Sequence, residues 1–348
     1  VYAVCRRAGG IFLLAAAILS LEGCGSNPGP VRTHTESARP SVVRVGVTGT
    51  FADASIDIAS ARSYFKNRNI HLILVRFSGD AEVVAALKAG RVDAADCPPG
   101  PVLYNALAAG ARIRIVADNG MLQPGYGDGG LVVRTPLADS VTAPSNLQMR
   151  SVGYDPDAGV SPLIYLERLL RSSGLSLSDL KLVKIAPRKM AAALAGGTID
   201  LAVVPEPFYS EGLLRGTFRV YKDLGEIYPG AETSVLCFSD SFASRTAIAE
   251  RFTSACMAGA HAYDSAFAAG GDRATFFRIL ESSIHGIDST MLSRMNVTLV
   301  RPDGRVNART LRSDMEWYVA HGMVRHTFNL RAVIDNRFVD TALKNRLP

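Results

Sequence analysis

Ala86-Leu87-Lys88-Ala89-Gly90-Arg91-Val92-Asp93-Ala94-Ala95 returns 107 residues later as Ala193-Leu194-Ala195-Gly196-Gly197-Thr198-Ile199-Asp200-Leu201-Ala202. In each copy a helix-period stretch runs into a glycine suited to a left-handed cap. The chain then turns, and an aspartate opens a short strand. A unit of this kind repeated at one offset predicts two similar α/β lobes within one chain. Asp93 and Asp200 stand beside a tight helix-to-strand turn, where a carboxylate satisfies local backbone amides more readily than it serves a ligand.

Outward from the first copy, short β-branched runs alternate with helix-period stretches. Residues 42–47, 70–75, 93–95 and 113–117 read as strands, and 58–65, 82–88 and 102–109 as helices. This βαβ rhythm predicts mostly parallel sheets covered by helices. Residues 130–134 read as a strand leaving the first lobe and 232–239 as one returning to it, which makes them the hinge. The fold class expected is therefore α/β, two-lobed, with a helical C-terminal extension. Residues 41–135 are assigned to the first part of lobe 1, 136–231 to lobe 2, and 232–348 to the return strand and the completion of lobe 1.

At the N-terminus, Arg6 and Arg7 precede an apolar run over 11–21, which is too short for a transmembrane helix and reads as an export signal over 1–23. Leu21-Glu22-Gly23-Cys24 resembles the lipobox of bacterial lipoproteins, although Glu22 departs from its usual small or apolar residue. Cys24 is then the lipidated residue, and 24–40, rich in Pro, Gly, Ser and Thr, a flexible tether. The formal charge of +6 falls to +5 without Arg6, Arg7 and Glu22, and the basic residues are scattered. A nucleic-acid partner is not expected. Cys97, Cys237 and Cys256 show neither metal spacing nor a disulfide framework and are read as buried thiols.

Several stretches resemble the NMT1/THI5-like substrate-binding proteins of nitrate, sulfonate, taurine and thiamine-precursor importers. They are Val43-Arg44-Val45-Gly46-Val47, Phe77-Ser78-Gly79-Asp80 before the first repeat, Val204-Pro205-Glu206-Pro207 after the second, and Trp317-Tyr318-Val319-Ala320-His321-Gly322-Met323-Val324 near the C-terminus. The resemblance covers nearly the whole chain after the tether. It implies a periplasmic-binding-protein fold of the Venus-flytrap kind, with ligand between the lobes and a permease of the ABC class as partner. It also implies an exported monomer held at the outer face of the cell membrane.

Ligands of open α/β sheets bind beyond the carboxyl ends of the strands, where helix N-termini present free amides. The loops at those ends nominate Thr50, Phe51, Ser78, Gly79, Asp80, Cys97, Pro98, Pro99, Tyr126, Tyr154, Gly159, Val160, Ser161 and Glu206 as ligand-binding. Asp80 also suits the N-cap of the helix that follows. These loops are acidic and aromatic, and 48–53, 78–80, 96–101 and 118–130 contain no Lys or Arg. A neutral or cationic organic solute is expected, with a sulfonate- or nitrate-type anion as the alternative. No cofactor, metal or catalytic motif emerges, although an enzyme or a ligand sensor on the same scaffold remains open.

Overall fold

The computed structural model describes residues 39–267, 273–284 and 288–345. The export signal, Cys24 and most of the tether lie outside the described residues.

Two five-stranded sheets form the frame. In the first, β1 (Ser41–Val47), β2 (Ile70–Arg76), β3 (Ala94–Cys97), β4 (Ile113–Met121) and β10 (Glu232–Ser239) lie in the order β2-β1-β3-β10-β4. In the second, β5 (Gly129–Arg134), β6 (Ser151–Tyr154), β7 (Lys181–Lys184), β8 (Leu201–Pro205) and β9 (Phe218–Asp223) lie in the order β7-β6-β8-β5-β9. The helices α1 (Ala54–Ala61), α2 (Asp80–Lys88), α3 (Pro101–Ala108), α4 (Pro162–Arg171), α5 (Pro187–Ala195) and α6 (Phe208–Leu214) connect the strands. Both sheets belong to one compact unit.

The repeat sets the register of both sheets. Val45 and Gly46 of β1 oppose Ala94 and Ala95 of β3, and at the same offset Val152 and Gly153 of β6 oppose Leu201 and Ala202 of β8. A side chain would be crowded at the matched positions 46 and 153. A Cβ on Gly153 would come within 2.8 Å of Ile199 and 3.0 Å of Ile185, and one on Gly46 within 3.2 Å of Phe77.

The two aspartates have the same task. Asp93 Oδ2 accepts the Arg44 amide at 2.8 Å and Asp200 Oδ2 the Ser151 amide at 3.1 Å, each reaching a strand 49 residues earlier. Each also meets an arginine, Arg245 at 3.3 Å and Arg134 at 3.2 Å. They fasten the repeat to its sheet.

Each sheet is parallel except for one strand lent by the rest of the chain. β10 runs antiparallel to β3 and β4, and β5 antiparallel to β8 and β9. Gly129–Arg134 is thus part of the second sheet, in contrast to the assignment of 41–135 to the first lobe, because it pairs with β8 and β9. The chain crosses between the sheets just before β5 and again just before β10.

The C-terminal part returns to the first sheet. Leu299 bridges Met121, and Ile334 bridges Ile115. Phe238 of β10 packs edge-on against Phe242 and Phe252, which follow it closely in sequence, and against Phe338 near the C-terminus, so the last helix closes the same core. The helix Ala308–Ala320 lies between α3 and α4. Tyr318 packs on Tyr104 of α3 at 5.8 Å, while Trp317 Nε1 donates to Glu167 of α4 at 2.8 Å. No helix among the described residues is long and apolar enough to cross a membrane.

Candidate functional site

The ends of the two sheets face a cavity of about 760 Å³, within the range of small-molecule sites. The first sheet contributes Thr50 and Phe51 after β1, Pro98 after β3 and Asn119 from β4. The second contributes Asp155, Gly159 and Val160 after β6, Tyr165 from α4, and Pro205 with Glu206 after β8. Pro98 and Pro205 are repeat equivalents, so the duplicated loops face each other across the cavity.

Six nominated residues line it: Thr50, Phe51, Pro98, Gly159, Val160 and Glu206. The other eight do not. Cys97 is 1 % exposed and its side chain joins the hydrophobic core, as does that of Tyr154, because strand alternation turns both inward. Tyr126 borders a separate cavity of about 330 Å³. Ser78 donates its amide to Glu82 at 3.0 Å, and Gly79 rather than Asp80 is the N-cap of α2, with Asp80 the first helical residue. Pro99 is buried behind Pro98. Ser161 stands at the N-cap of α4 without a side-chain cap bond and donates its amide to the Tyr318 hydroxyl at 2.9 Å.

Part of the wall was not legible in the loops. Asp128 and Leu224 come from the crossings between sheets, Thr233 and Ser234 from β10, and Tyr263, Met291 and Met295–Thr298 from the C-terminal part. The last group follows no strand end. The Leu299–Met121 bridge and the hydrogen bond from the Asn296 amide to Glu206 hold its 295–298 stretch beside the cavity.

The lobes touch at glycines. A Cβ on Gly100 would overlap the Gly159 carbonyl oxygen, and one on Gly159 would come within 2.6 Å of Pro98 and 2.9 Å of Asp80 Oδ2.

Among the described residues the cavity is lined by the carboxyl side chains of Asp128, Asp155, Glu206, Glu211 and Asp288 and by no Lys, Arg or His. Several backbone amides that would suit an anion are already engaged. Asp53 Oδ2, from a residue 2 % exposed, accepts the amides of Thr48 at 2.9 Å, Gly49 at 2.7 Å and Thr50 at 3.3 Å. Glu206 accepts the amides of Ser210 at 3.1 Å and Asn296 at 2.8 Å, and the Ser210 hydroxyl at 2.8 Å. Asp96 takes the Ser234 hydroxyl on Oδ2, while its buried Oδ1 has no partner. The Oδ1 of Asp128 is likewise buried without a partner.

Burial raises the affinity of these carboxyls for protons. It pushes Asp57 and Asp128 up to about 6, and Asp264, behind the cavity wall, up to about 7. Asp314 also rises to about 6 despite its arginine neighbour, since desolvation outweighs the attraction. For such groups the native state binds protons more tightly than the unfolded chain. Their stabilising contribution is complete below the unfolded value near 4 and is lost as pH rises through 6 to 7. Carboxyls held low, such as those of Asp200 and Asp303, lose their contribution only under stronger acid. The thermal midpoint is therefore expected to rise by several degrees from pH 8 to pH 5, as read by scanning calorimetry. A steady fall over that interval would contradict the assignment of burial as the dominant cause.

Comparison with known proteins gives consistent findings. The model of the NMT1-like family matches residues 36–275. A protein of Escherichia coli (strain K12) named for the binding of aliphatic sulfonates is 26 % identical over 194 residues, 53 % of this chain and 55 % of that protein. The chain thus spans about half the length of that relative. Among solved structures, the periplasmic aliphatic sulphonate binding protein SsuA of Escherichia coli superposes with a TM-score of 0.69 at 20 % identity, covering 85 % of this chain and 97 % of that one. The desulfurization enzyme DSZB superposes with a TM-score of 0.64 at 17 % identity, covering 88 % of this chain and all of that one. The two-lobed fold is therefore shared with a binding protein and with an enzyme.

Proposed function

Since the chain belongs to the NMT1-like family, we propose that it is the extracytoplasmic solute-binding component of an ABC importer, closing its two lobes on a small organic molecule. The observation that carries this reading is the cavity lined by duplicated loops from both sheets. A solute held there contacts both lobes at once, so its binding favours the closed arrangement by whatever contacts closure adds. The fold by itself does not separate receptor from enzyme.

In this reading the chain is exported, monomeric and tethered through lipid on Cys24, and a membrane permease recognises the closed form. The relatives bear on the ligand. A protein named for aliphatic sulfonates backs the anionic alternative better than the neutral or cationic solute expected from the loops. Against an anion stands the lining itself, acidic throughout and with the Thr48–Thr50 and Ser210 amides engaged by Asp53 and Glu206.

The test is a thermal-shift series on the full chain with sulfonates, nitrate, amines and pyrimidines. A ligand at 100 times its dissociation constant adds about 2.7 kcal/mol, an increment expected to raise the midpoint by several degrees for at least one class. Silence across the series, repeated after unfolding and refolding to release carried solute, would overturn the receptor reading.

A further inference from the structure

Four independent features of the cavity agree on the charge of what it takes. Among the described residues its lining holds five carboxyl side chains and no Lys, Arg or His. Five amides at the strand ends and beside Glu206, those of Thr48, Gly49, Thr50, Ser210 and Asn296, are bonded to Asp53 and to Glu206. On the wall, the buried Oδ1 of Asp128 has no hydrogen-bond partner. Phe51, Tyr165, Phe208 and Tyr263 bring aromatic surface to the same space.

Buried acceptors are almost always satisfied, and aromatic faces attract cations. Of the lining carboxylates, Glu206 is bonded to Ser210 and Asn296, Glu211 to Arg215 at 2.7 Å, and Asp288 to the Met291 amide at 2.7 Å. Asp155 Oδ1 accepts the Asp157 amide at 3.1 Å. Asp128 is the one whose buried oxygen awaits a donor. A sulfonate in this space meets like charge on several sides, while the two guanidiniums beside it, Arg76 next to Gly49 and Arg215 on Glu211, line no part of the cavity. A protonated nitrogen supplies the missing donor to Asp128 and lets an apolar body lie among the aromatic rings.

We infer that the solute is a protonated amine carried on an apolar or aromatic body, with Asp128 accepting its N–H. This rests on the receptor reading, and it names a ligand class that the sulfonate-named relatives do not suggest. Asp128 Oδ1 holds no hydrogen bond, so the isosteric Asp128→Asn change breaks none at that atom.

The experiment is calorimetric titration of the full chain with molecules matched in shape and differing in charge: 2-phenylethylamine, 2-phenylethanol and 2-phenylethanesulfonate, then butylamine and butanesulfonate. At least one amine is expected to bind tenfold or more tightly than its matched alcohol or sulfonate. Asp128→Asn should lower that amine's affinity at least tenfold and change the alcohol's less than twofold, with the variant's thermal midpoint recorded beside it. Should the variant fail to fold, the matched wild-type series decides alone. A sulfonate binding more tightly than its matched amine, or amine binding indifferent to Asp128→Asn in a folded variant, overturns the inference while the receptor reading stands. Silence of all five probes, when another solute shifts the melting midpoint, overturns it as well. Silence of these and of every solute in the wider series removes the receptor reading itself.

Discussion

Gly100→Ala is expected to weaken solute binding at least tenfold while leaving the thermal midpoint of the solute-free protein nearly unchanged. Gly100 has φ −125° and ψ −169°, extended backbone that any residue adopts, so alanine strains nothing within its own lobe. The obstacle lies across the cleft, where the new Cβ overlaps the Gly159 carbonyl oxygen. A carbonyl fixed at the start of α4 can yield only if the lobes part. When the binding-competent arrangement is only a fraction of the population, the apparent dissociation constant rises by the inverse of that fraction. Titration of both proteins with the same solute measures this directly. Equal affinities would show that the contact at these glycines is not part of the binding state.

Arg168→Met is the second large effect, and it acts on stability. The Arg168 guanidinium bonds the Tyr228 hydroxyl at 2.5 Å and the Ser313 hydroxyl at 2.9 Å, and lies 3.4 Å from Asp314. It also sits 3.4 Å from the centre of the Tyr228 ring. Asp314 is 1 % exposed, and its other contact is the Tyr228 hydroxyl at 2.6 Å. Removing one member of a buried ion pair costs about 3–5 kcal/mol, because the remaining charge keeps its desolvation penalty without compensation. Denaturant titration should show a loss near the lower end, about 3 kcal/mol, since Asp314 can take up a proton instead. The double variant Arg168→Met with Asp314→Asn should recover part of it. A loss below about 1 kcal/mol would place this cluster with ordinary surface pairs.

What the sequence disclosed and what it concealed divide along the distance over which each feature is determined. The repeat is local: a helix, a glycine cap, a turn and an aspartate occupy ten residues, so both copies and the tasks of Asp93 and Asp200 were readable. The sheet that receives Gly129–Arg134 is not local. Its run of apolar residues suits either sheet, and pairing with β8 and β9 decides the matter. The same holds for the cavity. Loops after β1, β3, β6 and β8 were found by rule, since strand ends in a parallel sheet face one way. Cys97 and Tyr154 adjoin those loops in sequence but end the strands, where alternation carries their side chains into the core. Tyr165 and Tyr263 sit inside helices and carry no sequence mark of a site. The wall formed by Met291 and Met295–Thr298 depends on tertiary packing alone.

The central claim is that two lobes close on a solute held between them. Small-angle scattering of the full chain, with and without a saturating concentration of the solute that most raises its melting midpoint, tests it most directly. A smaller radius of gyration with solute than without is predicted, and the contraction should be absent in Gly100→Ala. Superimposable curves at proven saturation would contradict the claim, because a molecule bound between lobes that do not move would leave nothing for a permease to recognise.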